Sequence, residues 1–176
     1  MTNDTDALHI LRARARTLAR PPGEVPAAAT LLDVLEFRLA RERYGLETRY
    51  VREVFPLRDL TPLPCTPPFV LGIVNLRGRI LPVLDLKQLF ELPEQGLTDL
   101  HRIILVQGVE LELGLLADAV VGVRSIPADS VQQSLPTLTG IRSDYLKGVT
   151  AERVVVLDAA RILADPRIIV HEEVDN

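Results

Sequence analysis

Residues 70–86 read VLGIVNLRGRILPVLDL, in which two apolar runs flank a short polar segment. The apolar runs are typical of paired strands, and Gly78 can adopt the positive φ that a tight turn between them requires. The pattern therefore predicts a β-hairpin whose turn presents Arg77. No turn type requires arginine, so this residue is either a solvated surface charge or a side chain that recognises another molecule.

The composition is that of a globular protein whose core is built from aliphatic side chains. Of the 176 residues, 47% are hydrophobic and 25% are charged, whereas only 4% are aromatic. A net charge of -4 argues against nucleic acid as the main ligand, because such binding depends on neutralising phosphates. Apolar runs fall short of the roughly 20 residues that a membrane helix needs, and the N-terminus lacks an apolar signal segment. We therefore expect a cytoplasmic protein that does not insert directly into a membrane.

An internal repeat organises residues 31–163. The dipeptide Gly-Leu at 45–46 recurs at 114–115, and two valines follow each glycine at the same six- and nine-residue spacing. Farther along the chain, the tripeptide Val-Leu-Asp at 83–85 recurs at 156–158. Two matches in the same order indicate a duplicated unit.

Both copies of the unit predict the same series of elements, namely a strand, a turn into a long second strand, a hairpin and a short helix that begins at an aspartate. The strands are predicted at 35–39, 44–54, 103–106 and 111–123, the hairpins at 70–84 and 146–157, and the helices after the N-cap residues Asp85 and Asp158. About five short strands in each copy, separated by proline-rich turns, predict a small β-barrel. We expect a mainly β fold of two five-stranded barrels, at about 35–90 and 103–163, with short helices.

Two segments flank the predicted barrels. Residues 1–20 are rich in arginine with apolar positions at helical spacing, and prolines within 21–30 end a helix, so we predict an N-terminal helical extension and linker over 1–30. Residues 164–176 form a short acidic tail. The helix can dock on the barrels, bind a second protein or lie on an anionic membrane. Its narrow apolar face without aromatic residues makes the membrane the weakest of these three interpretations.

Residues of the types found in catalytic centres are present, but they do not form a recognisable constellation. The histidines His9, His101 and His171 lack metal-binding spacing, so we predict neither a metal site nor a cofactor. Cys65 lies in a proline-rich segment with no histidine nearby, which favours a small buried or half-buried filler over a nucleophile. The sequence therefore predicts a protein that is not an enzyme.

The segment at 70–90, VLGIVNLRGRILPVLDLKQLF, closely resembles the signature of the CheW family of bacterial chemotaxis coupling proteins. The resemblance extends upstream through EFRLARERYGLETRYVREV and downstream through SDYLKGVTAERVVVLDAARIL, and it covers about residues 35–163. It implies two SH3-like five-stranded barrels that enclose a hydrophobic core. It also implies an adaptor function without catalysis, in which transmembrane chemoreceptors are bridged to a histidine autokinase.

The resemblance also implies candidate partner-binding residues. By match to the family motif, Arg77, Val51 and Glu53 fall at positions associated with partner binding, and the forked donors of Arg77 can bind the Glu53 carboxylate. The implied partners are the CheW-like regulatory domain of a chemotaxis histidine kinase and methyl-accepting chemoreceptors. The protein is then expected at membrane-associated receptor arrays.

Two other functions are compatible with parts of the sequence. A CheW-like paralogue that serves pilus motility or another chemosensory output fits the same residues. In a different class, a small-molecule-binding or hydrolytic β-barrel would need a polar cluster of Asp85, Asp158 and Ser143 in the cleft between the two copies.

Overall fold

A computed structural model of the protein describes residues 30–93, 97, 100–109, 111–133 and 141–168. The predicted N-terminal helix and residues 169–176 of the acidic tail lie outside this part of the chain. Within the described part there are ten strands and three short helices. They are β1 (Leu31–Leu39), β2 (Glu42–Glu47), β3 (Val51–Pro56), β4 (Val70–Leu76), β5 (Arg79–Leu84), α1 (Leu86–Leu89), β6 (Arg102–Gln107), β7 (Glu112–Ala117), β8 (Ala119–Pro127), α2 (Ile141–Asp144), β9 (Leu146–Val149), β10 (Val154–Leu157) and α3 (Ala159–Ala164).

The strands form two five-stranded sheets. Sheet 1 has the strand order β8-β1-β2-β10-β9, and sheet 2 has the order β3-β6-β7-β5-β4. Most neighbouring strands are antiparallel, but β10 runs parallel to β2 and β5 runs parallel to β7. A mainly β fold with two units of five strands confirms the predicted fold class.

Each sheet draws strands from both copies of the repeat. Sheet 1 combines β1 and β2 of the first copy with β8, β9 and β10 of the second. Sheet 2 combines β3, β4 and β5 of the first copy with β6 and β7 of the second. The boundaries expected for the barrels, about 35–90 and 103–163, therefore do not describe how the strands are distributed. The reason is that parallel neighbours cannot be joined by a tight turn, so the parallel partner of β2 comes from a distant part of the chain.

The long second strand predicted in each copy is interrupted. A 3-10 turn at Thr48–Tyr50 separates β2 from β3, and Asp118 alone separates β7 from β8. At both points the chain leaves one sheet and enters the other. The prediction of continuous strands over 44–54 and 111–123 is wrong, because a continuous strand would stay in one sheet.

The repeated peptides lie side by side in the two parallel strand pairs. Residues 45–46 align with 156–157 in sheet 1, and residues 114–115 align with 83–84 in sheet 2. The two copies therefore occupy equivalent positions and exchange their hairpins. This equivalence supports the interpretation of the sequence as a duplication.

One large hydrophobic core is shared by the two sheets. Side chains from both sheets and from α1 and α3 contribute to it. Four aromatic residues cross it in a row, Phe37, Tyr44, Phe90 and Tyr145, with successive ring centroids 6.0, 6.1 and 6.0 Å apart. Because strands of both sheets bury their side chains together, each sheet stabilises the other.

A short backbone bridge connects the two edges of each sheet. In sheet 2, the Thr61 N–H donates to the Ile73 carbonyl at 2.9 Å, and the Thr61 carbonyl accepts from the Ile73 N–H at 2.8 Å. In sheet 1, Gln132 forms the same pair of bonds with Val149, at 3.0 and 2.9 Å. Each bridging segment follows one edge strand, β3 or β8, and pairs with the other edge strand, β4 or β9. The bridges close each sheet into a small barrel.

Candidate functional site

The turn between β4 and β5 holds Arg77 in an uncommon backbone conformation. Arg77 and Gly78 have φ angles of +53° and +84°, the pattern of a type I′ hairpin turn. The Asn75 side chain accepts a hydrogen bond from the Gly78 N–H at 2.8 Å. Asparagine, aspartate and glycine are favoured at the position of Arg77, so the turn itself gives no reason for an arginine.

Arg77 binds Glu53 through two hydrogen bonds. Nη1 donates to Oε2 at 2.9 Å, and Nη2 donates to Oε1 at 2.6 Å. Glu53 lies in the edge strand β3, whereas Arg77 follows the opposite edge strand β4, so the ion pair spans the two edges of sheet 2. We name this pair the hairpin clasp. The predicted pairing of Arg77 with Glu53 is confirmed.

The hairpin clasp lies at the surface. The Arg77 side chain is 73% exposed and that of Glu53 is 30% exposed. An ion pair this open to solvent contributes only about 0–1 kcal/mol to stability. Arg79, on the other side of the turn, pairs with Glu112. The turn therefore presents two arginines, each held by a carboxylate, and sequence reasoning identified only the first.

Val51 has a different environment from the other two predicted residues. It is the first residue of β3, it aligns with Val106 of β6, and it is half-buried against the shared core. Burial alternates along β3, so that Val51 and Glu53 are both partly covered while Arg52 and Val54 are exposed. Val51 aligns with Val106 and Glu53 with Leu105, because the register shifts by one residue between them. Since consecutive residues of β6 point to opposite faces, Val51 and Glu53 lie on opposite sides of the sheet, and the prediction from strand alternation that they share a face is wrong.

A shallow apolar groove of about 310 Å³ lies beside β3 and brings together parts of both sheets. Its lining residues are Val54, Phe55, Pro56, Leu100, Arg102, Ala119 and Val120. Farther along the edge strand β8, Val121 and Val123 are also exposed. Sequence reasoning missed the groove, although two exposed valines at alternate positions of one strand are a signal for such a surface.

The carboxylates considered for a catalytic site act as helix caps. Asp85 accepts a hydrogen bond from the Lys87 N–H at 2.9 Å, and Asp158 accepts one from the Arg161 N–H at 3.2 Å. Both N-cap predictions are confirmed. The prediction that Cys65 is a buried or half-buried filler is wrong, because the proline-rich segment runs along the surface and leaves Cys65 exposed.

The remaining candidate residues are distributed as follows. His101 is buried directly before β6, beside Asp118, whereas His9 and His171 lie outside the described residues. Among the residues that the structure describes, no group of three or more His, Cys, Asp and Glu side chains is placed to hold a metal ion. No helix in the described part of the chain is both long enough and apolar enough to cross a membrane.

Comparison with known proteins identifies the family. Residues 33–167, which include both sheets apart from the first two residues of β1, match the family model of the CheW-like domain. The chain belongs to the CheW family. This confirms the resemblance seen in the sequence.

Individual CheW family members show how far the similarity extends. The chemotaxis protein CheW of Treponema pallidum is 29% identical over 142 residues, which cover 77% of this chain and 84% of that protein. Protein FrzA of Myxococcus xanthus is 32% identical over 137 residues, which cover 74% of this chain and 84% of that protein. The crystal structure of scaffolding protein TtCheW from Thermoanaerobacter tengcongensis has a TM-score of 0.65 and 36% identity, covering 72% of this chain and 83% of that one.

Membership of the CheW family assigns the general function. The chain is a chemotaxis adaptor with the two-barrel fold, and the family is one of non-catalytic scaffolds. The hairpin clasp and the apolar groove are the two candidate binding surfaces of this adaptor.

Proposed function

We propose that this CheW family member couples transmembrane chemoreceptors to a histidine autokinase by binding both. The observation that carries the proposal is the hairpin clasp. Its arginine occupies a turn position that is unfavourable for arginine, is held by two hydrogen bonds to Glu53, and is nevertheless 73% exposed. A charged side chain that is already ordered loses little conformational entropy when a partner binds, which favours specific recognition.

The hairpin clasp suits the CheW-like regulatory domain of the kinase. The clasp presents a guanidinium and a carboxylate side by side, so its partner must offer charges of both signs in a fixed arrangement. A folded domain meets this requirement better than a mobile peptide does. Val51, two residues before Glu53 in β3, adds an apolar contact beside the charged pair.

The apolar groove suits the helical cytoplasmic part of a methyl-accepting chemoreceptor. An amphipathic helix can bury its apolar stripe in such a groove. Arg102, the one charged residue of the lining, favours a helix that carries a carboxylate beside that stripe. With two separate surfaces, a cytoplasmic adaptor is recruited to membrane-associated receptor arrays without itself inserting into the membrane.

A second candidate is a paralogue that serves pilus motility or another chemosensory output. The similarity to Protein FrzA, a family member that does not carry the CheW name, favours keeping this candidate. The same two surfaces would then bind a different receptor and kinase. Pull-downs with the kinase regulatory domain of each candidate pathway distinguish the two functions.

The test of the proposed function is the substitution Arg77→Asp, which places a carboxylate opposite Glu53. The matched control is Arg161→Asp, since Arg161 is another exposed arginine and pairs with Asp158, the N-cap residue of α3. We expect Arg77→Asp to leave the protein folded and to weaken binding of the kinase regulatory domain by roughly 1–3 kcal/mol. Calorimetric titration with this domain and with a receptor fragment measures the effect. An unchanged Kd for both partners would remove Arg77 from the site.

A further inference from the structure

Asp118 is the single residue between β7 and β8, where the chain passes from sheet 2 to sheet 1. Its backbone N–H donates to the Arg38 carbonyl at 3.0 Å. One side-chain oxygen, Oδ2, accepts a hydrogen bond from the Ala40 N–H at 2.6 Å. Arg38 lies in β1 and Ala40 in the turn that follows it, so these bonds fasten Asp118 to sheet 1.

The other carboxylate oxygen of Asp118 is fastened to sheet 2. Oδ1 accepts a hydrogen bond from Lys87 Nζ at 2.5 Å and lies 2.9 Å from His101 Nε2. Lys87 is in α1, directly after β5, and His101 precedes β6; their side chains are only 1% and 3% exposed. We name Ala40, Lys87, His101 and Asp118 the junction cluster.

The charge of Asp118 is maintained by its neighbours. Burial raises the pKa of this carboxyl, but the hydrogen bonds from Lys87 and Ala40 and the charges of Lys87 and His101 outweigh burial, so its pKa lies below the usual value. The junction cluster therefore pairs a buried ammonium, that of Lys87, with the half-buried carboxylate of Asp118. Such a pair depends on both partners, because removing one leaves an uncompensated buried charge.

The junction cluster adjoins every part of the groove lining. The groove residues Ala119 and Val120 directly follow Asp118 in the sequence. Two others, Leu100 and Arg102, flank His101. The third part of the lining ends at Pro56, and the N–H of the next residue, Leu57, donates to the His101 carbonyl at 3.2 Å. The residues that form the groove are therefore continuous with the cluster or one hydrogen bond away from it.

We propose that Asp118 is a positioning residue for the groove. By binding Ala40 and Lys87 at the same time, its carboxylate fixes the groove residues of β8 relative to the groove residue of β6. Asp118 thereby sets the affinity of the groove for a helical partner that Asp118 itself does not touch. A one-residue connection leaves only two soft backbone angles between β7 and β8, and the side-chain bonds of Asp118 restrain them in addition to the shared core. The inference rests on the proposed function of the groove as the receptor-binding surface.

The test uses the full chain and three variants. Asp118→Asn retains an oxygen for the Ala40 N–H but leaves the Lys87 ammonium buried without a counter-charge, which is destabilising. Combining Asp118→Asn with Lys87→Met removes that ammonium, and the methionine side chain largely fills the volume of the lysine side chain. The matched control is Lys147→Met, because Lys147 pairs with Glu47 at 2.5 Å between two strands of sheet 1 and does not join the sheets.

Two measurements separate positioning from simple stabilisation. Titration gives the Kd for a chemoreceptor cytoplasmic fragment and for the kinase regulatory domain, and residual dipolar couplings give the orientation of sheet 1 relative to sheet 2. We expect the double variant to regain most of the thermal stability lost in Asp118→Asn, yet to show an altered sheet orientation and about tenfold weaker receptor binding. Its kinase binding should be unchanged, and Lys147→Met should change neither Kd nor orientation.

The opposite results would overturn the inference. A double variant that binds the receptor fragment as tightly as the unmodified protein would show that the cluster only stabilises the fold. If the unmodified protein does not bind the fragment, the proposed function of the groove fails, and an unchanged sheet orientation in the double variant would independently overturn the positioning role. Should the double variant not fold, Lys87→Met alone, in which Asp118 keeps its bond from Ala40, should show the same altered sheet orientation and the same weaker receptor binding.

Discussion

A Cβ atom placed on Gly72 would lie 2.3 Å from the carbonyl oxygen of Thr61. Thr61 forms the bridge that closes sheet 2, so the bridge can approach this closely only because residue 72 has no side chain. Sheet 1 has the same relationship at Gly148, where a Cβ would lie 2.6 Å from the Gln132 carbonyl oxygen. The two copies of the repeat therefore close their barrels by the same device.

We expect Gly72→Ala to lower the free energy of unfolding by about 1–3 kcal/mol more than Gly122→Ala does. Gly122 is a matched control, because both glycines have φ of +148° but a Cβ at residue 122 would meet open space. The comparison thus separates steric conflict at the bridge from backbone strain. Urea unfolding monitored by circular dichroism measures both values, and equal losses would show that the close approach at Thr61 is unimportant.

The exchange of strands between the two copies predicts that neither copy folds alone. We expect a fragment ending at residue 97 and a fragment starting at residue 100 to be unfolded separately, since each sheet lacks strands without the other fragment. Mixed in equal amounts, the fragments should recover strand structure because together they restore both sheets and the shared core. Circular dichroism and amide NMR spectra test this. A well-dispersed spectrum from either fragment alone would contradict it.

The backbone conformation of Arg77 predicts that stability and binding respond differently to its replacement. Asparagine tolerates positive φ better than arginine does, so Arg77→Asn should leave the free energy of unfolding unchanged or raise it by up to about 1 kcal/mol, despite loss of the exposed ion pair. Partner binding should nevertheless weaken. Denaturant unfolding and calorimetric titration of the same sample check both effects. A clear loss of stability would mean that Arg77 has a structural role.

The hydrogen-bonded group of Asp165, Arg167 and Tyr145 predicts that stability falls at both low and high pH. Hydrogen bonds from Arg167, which is 2.8 Å from the carboxylate, and from Tyr145 outweigh burial and lower the pKa of Asp165 to about 2. Because the native pKa lies below the usual 3.8, the stabilisation is complete above about pH 4 and is lost as the pH falls towards 2. Burial and the bond to Asp165 raise the pKa of Tyr145 to about 12, so stability should also fall as the pH rises from 10 to 12.

Asp165→Asn should flatten the acid limb of this profile, and Tyr145→Phe should flatten the alkaline limb. Asp129→Asn, which changes an exposed carboxylate in a 3-10 turn, serves as the control for the acid limb. The measurement is the urea midpoint as a function of pH. If Asp165→Asn has the same slope between pH 4 and pH 2 as the unmodified protein, Asp165 is not responsible for the acid response.

The sequence was informative wherever a structural feature depends on neighbouring residues. The hairpin around Arg77 and Gly78, and the helix caps Asp85 and Asp158, were predictable because turn and cap preferences act over a few residues. The repeat predicted two units of five strands. The pairing of Arg77 with Glu53 was also predictable, since a guanidinium and a carboxylate near the same strands have a strong mutual preference.

By itself, then, the sequence determined the strand content, the duplication, the clasp and the family. Only the tertiary structure decided which copy supplies each strand of a sheet, because a break as short as Asp118 leaves no periodic signal even though it redirects all of β8. The groove and the junction cluster were hidden for the same reason. Their residues are separated along the chain by up to dozens of positions, and they meet only because burying one shared core brings the two sheets together.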